Sequence, residues 1–317
     1  MGAPEKAADP TTPLTSSSPV PLPGLHAECA LYTPHLNHLK NLVLEGCDPN
    51  QILYPGGRSP LHTLLCSDHA PGLALAPLVS VLLGAGARLD LKDANGDTPL
   101  TCVERLLAAG RMAEAATVAE LMLSATDDVD NQRRPCDVNS VNAAGRSLLS
   151  HSVTHLDRAE ELTRILVNHG GRVWPCPAPA RPVSVPELDA DREQSAFTWF
   201  LRALTTTGGG ADLAGAANTL TCLSHEMGRD PARMRSHVVR VMLVEGRHPR
   251  VLGPLYRALT TSMAPFWSEP QQLRYLAWNS IRKSLGPKRL SRGSRQLGLP
   301  SPLRRYLTLA PAKSSRD

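Results

Sequence analysis

Histidine and cysteine are the residues of this 317-residue chain that could bind a metal ion or act in catalysis. His35 and His38, and likewise His151 and His155, are spaced to share one face of a helix, as pairs of zinc ligands do. A zinc protease would place glutamate directly after the first histidine, but residue 152 is serine. No cluster of carboxylates or cysteines stands nearby to complete a four-ligand site, so we expect no metal.

The other motifs that could support catalysis are incomplete. His62 and Cys66 lie one helical turn apart without a third group to orient them, so we interpret both as core residues. The glycines at 208–210 are not followed by the Lys-Ser/Thr of a phosphate-binding loop, and the Gly-x-Ser-x-Gly of a nucleophile elbow is absent from the sequence. We therefore expect no catalytic residue, no cofactor and no enzymatic activity.

Basic side chains are concentrated towards the C-terminal end. Residues 271–309 carry nine of them and no acidic ones, which leaves 25 basic against 29 acidic residues elsewhere. Such a cluster could neutralise nucleic-acid phosphates, but Tyr275 and Trp278 do not alternate with the charges as a base-stacking platform would. We interpret the charges as a solvated face. The nucleic-acid alternative would depend on Arg274, Arg282, Lys283, Lys288, Arg289, Arg292 and Arg295.

The compartment is suggested by the cysteines and by the absence of targeting signals. The seven cysteines are dispersed, without a Cys-x-x-Cys pair, which is typical of reduced thiols. No apolar run reaches eighteen residues, and the first 24 residues lack the apolar core of a signal peptide. We expect a cytoplasmic protein, with the nucleus left open as a second location.

Stacked helices are the elements that the composition favours, because hydrophobic residues make up 42% of the chain and aromatic residues only 4%. The motif Gly-x-Ser/Thr-Pro-Leu begins at Gly57 and Gly96, and Gly145 begins a copy without the proline. Each copy predicts a helix start, with Ser59 and Thr98 as N-caps. Residues 93–96 predict a tight turn. Three glycines are expected to end the second helices: Gly46, Gly86 and Gly170.

These units resemble ankyrin repeats, although the spacings of 39 and 49 residues between the three motif glycines exceed the usual 33. The likeness covers about residues 31–174, and we assign residues 25–174 to divergent ankyrin repeats. We expect residues 1–24 to be disordered and 175–194 to form a proline-rich connector, with residues 311–317 as a short tail. In residues 195–267, apolar residues again recur at helical spacing, which predicts either degenerate repeats or a small helical unit that covers the end of the repeat array.

The stretch 268–310 carries two more signals. Apolar residues at three- and four-residue steps predict an amphipathic helix. Residues 299–302 read Leu-Pro-Ser-Pro, which predicts an extended turn before another short helix, with Leu299 and Leu303 presented outward. The apolar stripe consists of Leu273, Leu276, Ala277, Ile281 and Leu285.

This pair of signals resembles a SOCS box, the three-helix module that binds elongin through its first helix and selects cullin-5 through Leu-Pro-x-Pro. Ala277 stands where the family has cysteine, and Gln272 where it has a small residue. The resemblance implies elongin-binding residues at Leu273, Leu276, Ala277 and Ile281, and cullin-binding residues at Leu299, Pro300, Ser301 and Pro302.

Repeats and box together resemble the ankyrin-repeat-and-SOCS-box family. The implied fold is all-α: an ankyrin-repeat solenoid, a further helical region and a C-terminal three-helix SOCS box. The implied function is that of a non-catalytic substrate receptor, assembled with elongin B, elongin C, cullin-5 and a RING subunit into a ubiquitin ligase. The alternative is an ankyrin scaffold without coupling to ubiquitin transfer. The substrate cannot be inferred from the sequence.

Overall fold

The structure, a computed structural model, consists of helices joined by turns. No β-strand occurs in the described part of the chain, where isolated bridges are the only β-type pairs. The all-α class expected from the sequence is confirmed. The described residues are 24–70, 72–125, 136–173, 195–206, 213, 215–227, 239, 256–264, 273–285 and 290–309. Most of the N-terminal tail, the connector at 175–194, the glycines at 208–210 and the tail at 311–317 lie outside them.

Helices α1 to α11 form an array of helix pairs. In chain order they are α1 Gly24–Cys29, α2 Leu36–Leu44, α3 Pro60–Cys66, α4 Ala76–Gly84, α5 Pro99–Cys102, α6 Glu104–Ala108, α7 Met112–Ser124, α8 Leu148–Ser152, a 3-10 helix at Val153–Ala159, α9 Glu160–Asn168, α10 Ala196–Thr206 and α11 Ala217–Met227. Residues 256–264 are also helical. Three helices follow: α12 Leu273–Leu285, α13 Leu290–Gln296 and α14 Ser301–Leu307.

The helix pairs stack in two layers. One layer runs through α1, α3, α5 with α6, α8 and α10, and the other through α2, α4, α7, α9 and α11. Each helix packs against its partner in the other layer or against the next helix of its own layer, so one leucine-rich core runs along the array. Helices α10 and α11 continue both layers, so this part of residues 195–267 extends the stack.

Side-chain caps begin the helices of the first layer at the positions expected. The Thr98 hydroxyl accepts a hydrogen bond from the Thr101 amide at 3.3 Å, and the Thr101 hydroxyl accepts one from the Thr98 amide at 2.8 Å. Ser59 forms the same reciprocal box with His62 before α3. Ser147 caps α8 in the copy that lacks proline. The N-cap predictions at Ser59 and Thr98 are therefore confirmed.

Glycine ends the second-layer helices, as predicted. Gly46, Gly86 and Gly170 have φ of 88°, 96° and 92°, the left-handed region that L side chains avoid. The amide after each glycine returns to a carbonyl five residues earlier; the nitrogen of Gly171, for example, lies 2.7 Å from the Leu166 oxygen. A Cβ on Gly171 would lie 2.8 Å from the same oxygen, so this position has no room for a side chain.

The turns between helix pairs stack in a column. Asp93 Oδ1 accepts hydrogen bonds from the amides of Asn95 and Asp97 at 2.8 and 2.9 Å, which closes the turn predicted at 93–96. The Ala94 amide donates to the Gly56 carbonyl of the preceding turn at 3.0 Å. The next turn is linked in the same way, because Ala143 donates to Asn95 at 3.2 Å. Successive helix pairs are thus joined by backbone hydrogen bonds as well as by packing in the core.

His62 links α3 to that column. Its side chain is fully buried, with Nε2 3.0 Å from the Asp97 carbonyl and Nδ1 2.8 Å from the Ser59 hydroxyl. Burial lowers the pKa of His62 below its ordinary value. The expectation that His62 is a core residue is confirmed, whereas Cys66, one turn later, is only half-buried.

Candidate functional site

The C-terminal module, defined here as helices α12 to α14, has one face packed and one face open. On α12 the packed face carries Tyr275, Trp278 and Arg282, all buried. The open face carries Leu273 and Leu276, which are 82% and 46% exposed. The helix is therefore amphipathic in an unusual sense, because aromatic residues and a buried cation point inward while leucines point to solvent.

The structure separates the four residues identified from the sequence as elongin-binding. Leu273, Leu276 and Ala277 are exposed at the N-terminal half of α12. Ile281 is half-buried and packs against the small core of the module. The stripe is thus not a single exposed face, because Ile281 is drawn towards the interior by the aromatic residues beside it.

That small core was not recognised from the sequence. Tyr275, Trp278 and Leu307 are its buried members, and the rings of Tyr275 and Trp278 stack with centroids 5.6 Å apart. The His225 ring of α11 lies 4.6 Å from the Trp278 ring, and the Tyr275 hydroxyl donates to the His225 carbonyl at 3.0 Å. The signal was present in the sequence, since positions 275, 278 and 282 also recur at helical spacing.

Arg282 corrects the expectation that the basic residues of the tail form a solvated face. Its side chain is 1% exposed. Its guanidinium donates to the Asn168 side-chain oxygen, the Val167 carbonyl and Glu226 Oε1, each at 3.1 Å. The same group lies over the Trp278 ring at 4.6 Å. Arg282 therefore cannot reach a nucleic-acid phosphate, and the tail residues do not share one exposed basic face.

A second contact secures the other end of the module. The Asn168 amide nitrogen at the end of α9 donates to the Thr308 carbonyl at 2.6 Å, just after α14. Asn168 is buried and so binds Arg282 with one end of its amide and Thr308 with the other. The array consequently holds both α12 and α14 of the module through one side chain.

The Leu-Pro-Ser-Pro segment sits at the start of α14. Pro300 has an extended backbone with φ −52° and ψ 146°, as the proline pair predicts. Pro300, Ser301 and Pro302 are exposed, but Leu299 is half-buried against the small core. The expectation that Leu299 and Leu303 both face outward is therefore wrong for Leu299, and only Leu303 remains an exposed apolar side chain there.

The pairs His35/His38 and His151/His155 each contact one carboxylate, which their spacing alone did not reveal. Glu28 Oε2 lies 2.6 Å from His38 Nδ1, and Glu104 Oε2 lies 2.6 Å from His151 Nε2. The first contact joins α1 to α2 within one helix pair, where Glu28 also accepts a hydrogen bond from the His35 amide, and the second joins α6 to α8 of the next pair. Over the residues that the structure covers, no group of three or more His, Cys, Asp or Glu side chains is placed to hold a metal ion.

No protein-family model matches this chain, and a search of curated proteins gave no match. Among the helices that the structure describes, none combines the length and the apolarity needed to cross a bilayer. The open leucine face of α12, on a module fixed to the array, is the most distinctive candidate for an interaction surface.

Proposed function

We propose that this chain is the non-catalytic substrate receptor of a cytoplasmic ubiquitin ligase built on elongin B, elongin C, cullin-5 and a RING subunit. In this proposal the array is a divergent ankyrin-repeat solenoid that binds the substrate, and the C-terminal module is a SOCS box. The observation that supports it best is the exposure of Leu273, Leu276 and Ala277 on a helix whose other face is firmly held.

The exposure of these residues favours a binding partner on energetic grounds. Burying a leucine is worth about 1.5–3 kcal/mol, and the fold leaves this free energy unused at Leu273. Because α12 is fixed by its small core and by Arg282, its leucines are already in position, so little conformational entropy is lost on binding. Residues 273, 276 and 277 lie where the family resemblance puts the elongin contact.

The ankyrin assignment is supported by local geometry. Capped first helices, glycine-terminated second helices and a column of hydrogen-bonded turns repeat along the array. Repeat stacks of this kind present an extended surface to a protein partner. The proposed mechanism is positioning: the array holds a substrate while the module recruits the ligase, which raises the effective concentration of substrate lysines near the charged enzyme.

Cullin selection would depend on the exposed part of residues 299–302. The prolines fix the backbone before α14, and Arg304 Nη2 donates to the Leu299 carbonyl at 3.2 Å, which closes the turn from the other side. A surface held in this way can be recognised without reordering. Pro300, Ser301 and Pro302, with Leu303, would form the contact, while Leu299 would support it from below.

The test is co-expression with elongin B and elongin C, followed by purification through a tag on this chain. Leu273→Ala should abolish recovery of elongin C. The matched control is Leu44→Ala, because Leu44 lies at the end of α2 and is 83% exposed, against 82% for Leu273. If Leu273→Ala leaves the recovery of elongin C unchanged, the ubiquitin-ligase proposal fails, and the alternative of an ankyrin scaffold remains.

A second pair of variants tests residue 277. Ala277→Cys restores the residue of the family pattern and should bind elongin at least as well as the natural chain. Ala277→Asp would place an unpaired charge in the proposed interface and should prevent binding. Since Ala277 is exposed in the free chain, neither change should alter the thermal unfolding of the protein. Full binding by Ala277→Asp would contradict the proposed contact.

A further inference from the structure

A polar cavity of about 220 Å³ lies where the module meets the array. Its walls come from α7 and α9 on one side and from α13 and α14 on the other. Four arginines line it: Arg164, Arg295, Arg304 and Arg305. Glu120 is the one acidic side chain among the described residues of its wall. Such a density of guanidinium groups in one cavity needs a counter-charge.

The described residues supply only part of that counter-charge. Arg164 pairs with Glu161, one turn earlier on α9. The side chains of Arg295 and Arg305 make no ion pair with any described carboxylate, and among the described residues the Arg304 guanidinium donates to the Leu299 carbonyl alone. Among the described residues, four arginines against Glu120 and Glu161 leave a net charge of two positive units around the cavity. This excess matches a phosphate group, which carries about two negative charges at neutral pH.

The remaining lining fits the same ligand. The Ser301 hydroxyl also lines the cavity and is a suitable donor to a phosphate oxygen, whereas the Thr308 hydroxyl already donates to the Arg304 carbonyl at 3.0 Å. One water occupies about 30 Å³ of liquid, so the cavity has room for a group of several heavy atoms. The Nε atoms of Arg164 and Arg304 are buried without a hydrogen-bond partner in the described chain. Those guanidinium groups therefore retain unused donor capacity.

We propose that this cavity binds a phosphate group of a small molecule or a lipid headgroup. The arginine fork matches phosphate oxygens in geometry as well as in charge. A nucleic-acid strand is a poorer fit, because the four arginines line one small cavity and do not follow an extended groove. The site is independent of the elongin surface, since it contains no residue of the open face of α12.

Because the cavity lies between the array and the module, a ligand bound there would affect the stability of the protein. Arg164 belongs to the array, while Arg295, Arg304 and Arg305 belong to the module. A phosphate bound by both sides would tie the module to the array next to the Asn168 contact. Binding should therefore raise the midpoint of thermal unfolding, by an amount that increases with the logarithm of the ligand concentration once this exceeds the dissociation constant.

The experiment compares the full chain with two double variants. Arg295→Gln/Arg305→Gln removes two cavity charges whose side chains make no hydrogen bond or ion pair in the described structure, so folding should be preserved. Arg257→Gln/Lys283→Gln removes two exposed charges away from the cavity and is the matched control. Circular dichroism melts of the three proteins without ligand verify that each is folded.

Calorimetric titration with pyrophosphate tests the soluble source, and flotation with phosphatidylcholine vesicles containing phosphatidylinositol 4,5-bisphosphate tests the lipid source. We expect binding by the natural chain and the control in at least one of these assays, and at least tenfold weaker binding by the cavity variant. Absence of binding in both assays, or equal weakening by both double variants, would overturn the proposal.

Discussion

Replacing Arg282 is the sharpest test of how the module is joined to the array. Arg282→Met keeps much of the side-chain length but removes three charge-assisted hydrogen bonds, to Asn168, Val167 and Glu226. The Glu226 side chain is only 13% exposed, so its carboxylate would remain partly buried without this partner. Removing one partner of a buried ion pair lowers the free energy of unfolding by about 3–5 kcal/mol. The residual exposure of Glu226 suggests the lower end, ~3 kcal/mol.

The assay is urea unfolding combined with hydrogen exchange of residues 273–285. We expect Arg282→Met to lower the free energy of unfolding by that amount and to increase exchange in α12 before the array opens. Lys283→Met is the matched control, because Lys283 is the next residue and is exposed. Its effect should stay within about 0.5 kcal/mol.

Glu226→Gln completes a double-mutant cycle. If the pair is buried as the structure shows, the double variant should lose less stability than the two single variants together. Arg282→Lys should recover only part of the loss, because an ammonium group cannot reach three separate acceptors as the planar fork does. A loss below about 1 kcal/mol for Arg282→Met would refute the reasoning, since that value is typical of a solvated surface charge.

Three further predictions concern the array and the turn before α14. Gly171→Ala should lower the unfolding free energy by about 1–3 kcal/mol in urea melts because its Cβ would overlap a backbone oxygen, whereas Gly84→Ala, in open space, should be neutral or stabilising. Burial lowers the pKa of His62, so the unfolded chain binds a proton at this residue before the folded chain does as the pH falls below about 6.5. The free energy of unfolding should therefore decrease from pH 7.5 to pH 5.5, and it should decrease less steeply in the His62→Gln variant. Replacing Pro300 and Pro302 with alanine should weaken cullin-5 capture in a reconstituted pull-down and leave elongin capture near normal; equal loss of both would indicate an unfolded module.

Local signals in the sequence predicted the array well. A serine or threonine before Pro-Leu specifies a helix start, and a glycine after an apolar run specifies its end, because both act through the backbone of their immediate neighbours. Ser59, Thr98 and Gly86 are therefore found where they were expected. The turn at 93–96 was predictable for the same reason, since its hydrogen bonds are made within five residues.

The junction between array and module could not be predicted in this way. Arg282 is buried because Val167, Asn168 and Glu226 surround it, and these lie 115, 114 and 56 residues earlier in the chain. A single sequence does not show such long-range partners, so an arginine in a basic tail is reasonably interpreted as solvated. The prediction that Leu299 faces outward was wrong for the same reason, because the core that covers Leu299 forms only when α12 and α14 pack together.

The column of stacked turns makes the array behave as a one-dimensional lattice. Each helix pair contacts mainly its neighbours, so the array should open from an end rather than all at once. The module is held against α9 and α11, the last two helices of the second layer, through Asn168, Glu226 and Arg282, whereas the opposite end of the described array begins with α1. Loss of structure should then spread from the α1 end towards the module, and a partner bound to the first helix pairs would oppose it. Binding of a partner at that end would thus stabilise the whole stack.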